Sequence, residues 1–267
     1  MPLEILPARY ALQRSWLFSK KLYDLADHLV VVCDDATLRT QVSHTLARQQ
    51  VLRGGGLLWL DGWANGLTEE FLHNLARTSW PSASFWSVAA WRNPSSEDVL
   101  LASDPLVLRK RLLEREVVYA GPDVMRGFQA TRALVEQLLE GLLQGLALRE
   151  HSTQSLQPYV VVLDHCASWV CAAVSRRAQD LLEKARQAGV VLVGLMSGED
   201  FALEMGGPPA SLAAQAGTLV VGRLRQSNWP ALLEHPLAQR AGLRASHLTG
   251  LRSPTSSIVL QHGGKEA

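Results

Sequence analysis

The chain has 267 residues, 47% hydrophobic and 19% charged, which is enough apolar material for one large core or a core with a small appendage. Its 26 Lys and Arg against 25 Asp and Glu leave a formal net charge of +1, so no global field draws it to nucleic acid or an anionic membrane, and any DNA contact would have to be a local patch. Cys33, Cys166 and Cys171 form an odd set with no CxxC pair, which disfavours a disulfide framework or a zinc site and fits a reducing cytoplasm.

The N-terminal stretch MPLEILPARYALQRSW carries charges and prolines in place of an apolar run, so residues 1–25 read as an extension without a signal peptide. Residues 28–33, His-Leu-Val-Val-Val-Cys, form an apolar run bounded by Asp27 and by Asp34-Asp35, as a strand buried on both faces would. A helical stretch follows from Ala36 to about Gln49. Gly54-Gly55-Gly56 then breaks the chain before a second strand, Leu57–Asp61, and Thr68 opens an amphipathic helix with Leu72 and Leu75 on one side. Between Trp80 and Pro122 the pattern weakens, with strands expected at Phe85–Trp91 and Val117–Tyr119. Residues 123–149 carry leucines at 134, 138, 139, 142, 143 and 146, the spacing of a long helix with one wide apolar face.

Tyr159–Leu163 is a further strand, ending at Asp164. A helix through Arg176–Gln187 leads by Gly189 into Val190–Leu195, and Leu219–Val221 and Ile258–Leu260 complete the set. The longest apolar runs are strand length, well short of the roughly 20 residues a membrane helix needs. Strands alternating with helices predict an α/β fold with a mostly parallel central sheet flanked by helices. A single domain is expected, with a core at 26–225 and C-terminal helices and a last strand at 226–267.

The junction after the first strand reads Cys33-Asp34-Asp35-Ala36-Thr37-Leu38-Arg39-Thr40. A P-loop reads GxxxxGK[ST] at that junction, because glycines let backbone N–H groups approach phosphates, lysine neutralises them and the hydroxyl ligates magnesium. The spacing matches with Thr40 in the hydroxyl place and Arg39 in the lysine place. Cys33 and Leu38 fill both glycine places, and Asp34 and Asp35 stand where phosphate would be drawn in. Like charges about 4 Å apart repel by roughly 4 kcal/mol near a protein surface, so these carboxylates would oppose a triphosphate by more than one arginine recovers. The segment by itself fits an ordinary strand-turn-helix junction, with Asp34 or Asp35 as the N-cap, better than a P-loop.

The second half adds a longer pattern. Tyr159-Val-Val-Val-Leu-Asp164 suits a Walker B strand, whose terminal acid holds magnesium and water. It runs on into His165-Cys166-Ala167-Ser168-Trp169-Val170 and Asp180-Leu-Leu-Glu-Lys-Ala-Arg186-Gln-Ala-Gly189-Val190. This stretch resembles the type IV secretion and conjugative coupling ATPases, in which an Asp-Glu-Phe-Ala-Ser-Phe-like segment precedes a helix ending Lys-Ala-Arg-Ser-Ala-Gly-Val and a strand. The resemblance is specific over 159–195 and looser over 25–225, taking in Leu113–Tyr119, Thr131–Leu148 and Gln215–Val221. It implies a RecA-like motor domain, usually hexameric, that delivers DNA or protein to a secretion channel.

Against that pattern the chemical positions are altered. His165 replaces the glutamate that would polarise the attacking water, Ser197 stands at the glutamine place after the next strand, and Leu219 takes the basic place of the later one. Losing the glycines, lysine, glutamate and glutamine together removes positioning, charge stabilisation and base at once. The resemblance therefore implies a pseudo-ATPase with a vestigial nucleotide site at Cys33, Asp34, Asp35, Thr37, Leu38, Arg39, Thr40, Asp164, His165 and Ser197. Binding of ATP and magnesium is expected to be weak or absent, with no other cofactor. The expected partners are other secretion or conjugation proteins, an active coupling ATPase among them, and the expected location is the cytoplasm or, through partners, the inner membrane.

Three other readings compete. A small-ligand or nucleotide-binding α/β module would use Ser197 and Gly198 at a strand C-terminus, and a weak ATPase motor for DNA transfer would retain hydrolysis. A hydrolase would use Gly62–Gly66 with His165 or His262, but no GxSxG elbow presents a nucleophile. Trp63 and Trp91 in loop-like segments suit a binding surface, whereas most of the eight tryptophans suit packing. Arg109-Lys110-Arg111 with Arg115 fits a phosphate contact or a solvated helix face.

Overall fold

The computed structural model of the protein describes residues 27–52, 54–62, 66–78, 84–87, 116–121, 144, 159–165, 182, 184–206, 211–251 and 257–261. The basic cluster at 109–115, Trp63, Trp91, Cys166, Cys171, His262 and, apart from the helical Gln144, the expected helix at 123–149 lie outside the described residues. In chain order the elements are β1 (Leu29–Val32), α1 (Ala36–Leu52), β2 (Gly56–Asp61), α2 (Gly66–Thr78), β3 (Ser84–Ser87), β4 (Glu116–Ala120), β5 (Tyr159–Asp164), β6 (Val190–Met196), α3 (Gly198–Met205), α4 (Leu212–Gln215), β7 (Thr218–Val221), a 3-10 turn (Gln226–Asn228), α5 (Trp229–Glu234), α6 (Pro236–Arg240), α7 (Ala245–Thr249) and β8 (Ile258–Gln261). The chain divides into two compact units, one running to Leu46 and resuming at Val193, the other spanning Ala47–Leu192.

In the first unit β1 lies between two parallel neighbours. Val30 is in register with Gly194 of β6 on one side and with Leu219 of β7 on the other. All four residues of β1 and all four of β7 are buried, which is why their sequences run apolar without alternation. β8 closes this edge antiparallel to β7, with Val259 opposite Val220. The helical face of α1 that packs inward carries Leu38, Val42 and Leu46 with Arg39, Ser43 and Ala47, two rows at spacing four.

In the second unit β2 is the inner strand, parallel to β4 and to β5, and β3 extends the sheet beyond β4. Trp59, Tyr119 and Tyr159 are almost wholly buried here, and Trp59 is in register with Tyr119. Each large apolar side chain so buried contributes about 1.5–3 kcal/mol over its exposed state. On α2 the expected apolar face is present, with Leu72, Leu75 and Ala76 buried, though the helix begins at Gly66 and not at Thr68, and Thr68 is itself buried. The strand expected over Phe85–Trp91 is seen as β3, over Ser84–Ser87. The fold is thus an α/β arrangement of mostly parallel strands and helices.

Candidate functional site

Only Cys33, Asp34 and Asp35 connect the end of β1 to the start of α1. Thr37, Leu38, Arg39 and Thr40 therefore belong to the first helical turns, with Thr37 and Thr40 exposed and Leu38 and Arg39 buried. The helix begins where it does because Asp35 caps it. Its Oδ1 accepts the Thr37 N–H at 2.7 Å, satisfying one of the amides that a helix start leaves open.

The remaining backbone donors of the connection are also committed within the chain. Cys33 N–H donates to the Met196 carbonyl at 3.0 Å, Asp34 N–H to the Arg223 carbonyl at 3.0 Å, and Asp35 N–H to Cys33 Sγ at 3.3 Å. The Cys33 thiol is fully buried, and burial raises its pKa above the ordinary value. Arg39, in the lysine place, turns its Nη1 back to donate to the Cys33 carbonyl. Leu38 and Cys33 pack against the exit of β7, where a Cβ on Gly222 would come within 2.4 Å of the one and 2.5 Å of the other.

Asp34 and Ser197 meet the same helix start. Asp34 Oδ1 accepts the N–H of Gly198, the first residue of α3, at 2.8 Å, and its Oδ2 accepts the Arg225 N–H at 2.7 Å. Ser197 is the N-cap of α3. Its Oγ accepts the Asp200 N–H at 3.1 Å and donates its own proton to Asp200 Oδ2 at 2.8 Å, while Ser197 N–H reaches the same carboxylate at 3.3 Å. Leu219, in the place the resemblance gives to a basic residue, is fully buried in β7.

Asp164 and His165 belong to the second unit, at the C-terminal end of β5. Asp164 is in register with Asp61 at the end of β2, and its carbonyl accepts the Gly62 N–H at 2.7 Å. A Cβ at 62 would lie 2.7 Å from the His165 carbonyl oxygen, so the two strand exits pass too closely for any residue but glycine. His165 has φ of 51°, a left-handed backbone that a non-glycine residue adopts at some cost.

Beside this pair lies a feature that sequence reasoning did not find. The Tyr119 hydroxyl donates to Asp61 Oδ2 at 2.8 Å, and both residues are buried. Burial first, and then the negative charge of Asp61, push the phenol well above its ordinary range, with Glu69 and Asp164 adding to the same effect. The signal was available as an acid ending β2 and a tyrosine near the end of β4, but their alignment depends on the register of two parallel strands. Among the described residues no group of three or more His, Cys, Asp or Glu is arranged to hold a metal ion.

Neither a protein-family model nor a curated protein matches the sequence. Solved structures do match in fold. VirB4 of Thermoanaerobacter pseudethanolicus superposes with a TM-score of 0.54 at 9% identity, covering 90% of each chain. The bacterial conjugative coupling protein TrwBΔN70, solved with sulphate, gives 0.53 at 14% identity over 89% of this chain and 83% of its own. The genome packaging NTPase B204 of Sulfolobus turreted icosahedral virus 2, in complex with AMP, gives 0.51 at 12% identity over 87% and 91%. With β1 parallel to β6 and β7, β2 parallel to β4 and β5, and β8 antiparallel to β7, the chain has the RecA-like α/β fold of the P-loop ATPases, those of type IV secretion and conjugation among them.

Proposed function

We propose that this protein is a catalytically inactive, RecA-like component of a conjugative transfer or type IV secretion apparatus that works through contacts with other proteins of that apparatus, including an active coupling ATPase. The observation that carries the reading is the state of the β1–α1 connection. The amides of Cys33, Asp34, Asp35 and Thr37 all donate to partners within the chain, and Arg39 faces a backbone carbonyl. A triphosphate needs amide donors free to turn toward it and a cation free to neutralise it. Here those four donors are already paired, and the side chains of the connection are two carboxylates and a buried thiol.

On this reading the protein binds ATP and magnesium weakly or not at all and does not hydrolyse ATP. On the same reading it is cytoplasmic or, through its partners, peripheral at the inner membrane; among the described residues no helix is long and apolar enough to cross a membrane. Titration of a fluorescent ATP analogue with magnesium is expected to give no saturable signal in the micromolar range. Magnesium-dependent micromolar binding would overturn the inactive site, and a pull-down from the native host that recovers no secretion or conjugation protein would overturn the role.

A further inference from the structure

His235 caps α6, and it does so with its ring. Ser, Thr, Asp and Asn are the usual caps, because their oxygens accept throughout the neutral range. Here the acceptor is imidazole Nδ1, which takes the Leu237 N–H at 3.1 Å. Pro236 opens the helix without an N–H, so Leu237 carries the first amide that needs a partner. The other ring nitrogen, Nε2, lies 2.8 Å from the Ala213 carbonyl oxygen in α4. A carbonyl oxygen only accepts and an amide N–H only donates, so these two partners fix the ring as the neutral tautomer with its proton on Nε2. The ring is buried, with Phe201 of α3 beside it at a centroid distance of 6.0 Å. Ala213 also reaches α3, since its N–H donates to Oε2 of the buried Glu204 at 3.0 Å. Hydrogen bonds through one residue thereby tie α3, α4 and α6 together.

We propose that His235 is a pH-sensitive latch on the C-terminal helices: uptake of a proton at Nδ1 turns the acceptor into a donor aimed at the Leu237 N–H, uncaps α6 and releases it from α4. Two donors then face each other at the start of a helix, where positive charge is already disfavoured. Histidine is the side chain whose ordinary charge change falls between about pH 5 and 8, so the latch works close to neutrality. The charged groups on the surrounding elements do not supply a replacement. Asp200 is held in the capping box of α3, Glu199, Glu234, Arg240, Arg244 and His247 are exposed, and α4, β7 and β8 carry no titratable side chain. The Glu204 charge eases the arrival of a proton, but it does not restore the acceptor that α6 loses. With the latch closed, α6 keeps Leu237 and Ala238 buried; opening it gives both to solvent.

Hydrogen exchange of the full chain reads the latch through the protection of the Leu237 amide, corrected for the pH dependence of intrinsic exchange. Between about pH 8 and pH 5 that protection is expected to fall roughly tenfold or more. His235→Asn supplies an oxygen that caps without titrating, so its Leu237 protection is expected to stay within about twofold over the same range. No loss in the unaltered chain, or an equal loss in His235→Asn, overturns the proposal. Should His235→Asn fail to fold, NMR of the ring nitrogens in the unaltered chain takes its place. The ring is expected to pass from the Nε2–H form to the imidazolium in step with the loss of Leu237 protection. A ring that stays neutral while protection falls, or that takes up a proton while Leu237 stays protected, overturns the latch.

Discussion

Gly222 at the exit of β7 faces Cys33 so closely that a Cβ there would sit 2.5 Å from the cysteine Sγ and 2.9 Å from its Cβ. The bulk that fills the first glycine place of the turn is thus matched by a missing side chain on the neighbouring strand. Gly222→Ala is expected to destabilise the fold by about 1–3 kcal/mol through overpacking. In a Cys33→Gly background the cost should shrink, since the far end of the flexible Leu38 side chain is then the main obstacle. A double-mutant cycle by urea denaturation checks this: additive effects would show that the two positions are not coupled.

Tyr119→Phe removes the donor that Asp61 receives at 2.8 Å inside the second unit. The expected loss is about 1–3 kcal/mol, the cost of withdrawing a buried partner from a polar group. The alkaline side of the stability profile should change as well. The folded phenol is raised above its ordinary 10.0, so the unfolded chain loses its proton first and stability is full below that pH and declines as pH rises beyond it. Denaturation midpoints measured across that range should fall less steeply for Tyr119→Phe.

How much of this was readable in advance depends on whether the controlling contact is local. The strands were legible because residues such as Leu29–Val32 and Leu57–Leu60 are buried on both faces and must run apolar. The α1 cap at Asp35 lies two residues from the amide it serves, and the sequence left it open only against Asp34. The partners of Asp34 are 164 and 191 residues away, and nothing in its local sequence shows that two distant backbone amides hold its carboxylate. Ser197 was read against a glutamine place, yet its capping box with Asp200 was written in the sequence at spacing three. The pairing of Asp61 with Tyr119 escaped because strand order and register, not spacing, bring them together.

His44 on α1 offers a pH test in the acid direction. Burial pushes its imidazole below the ordinary 6.5, so the folded protein takes up that proton less readily than the unfolded chain. Stability attributable to this group is full above pH 6.5 and is lost as pH falls below it. His44→Gln is expected to flatten the profile from pH 6.5 downward while leaving the neutral value within about 1 kcal/mol. An unchanged acid slope in the variant would show that other groups control that limb.

The caps of α1 and α3 separate helix stability from anion exclusion. Asp35→Ala leaves the Thr37 N–H without its acceptor, and Ser197→Ala does the same to the Asp200 N–H; each is expected to cost about 1 kcal/mol by thermal or urea unfolding. Freeing the Thr37 amide also removes a negative charge from the β1–α1 connection, so a site limited only by local charge would begin to bind an ATP analogue in Asp35→Ala. With the backbone amides of residues 33, 34 and 35 still donating within the chain, no such gain is expected. Isothermal titration of Asp35→Ala with the analogue tells charge at the turn apart from the commitment of its backbone donors: saturable binding would show that charge alone closed the site.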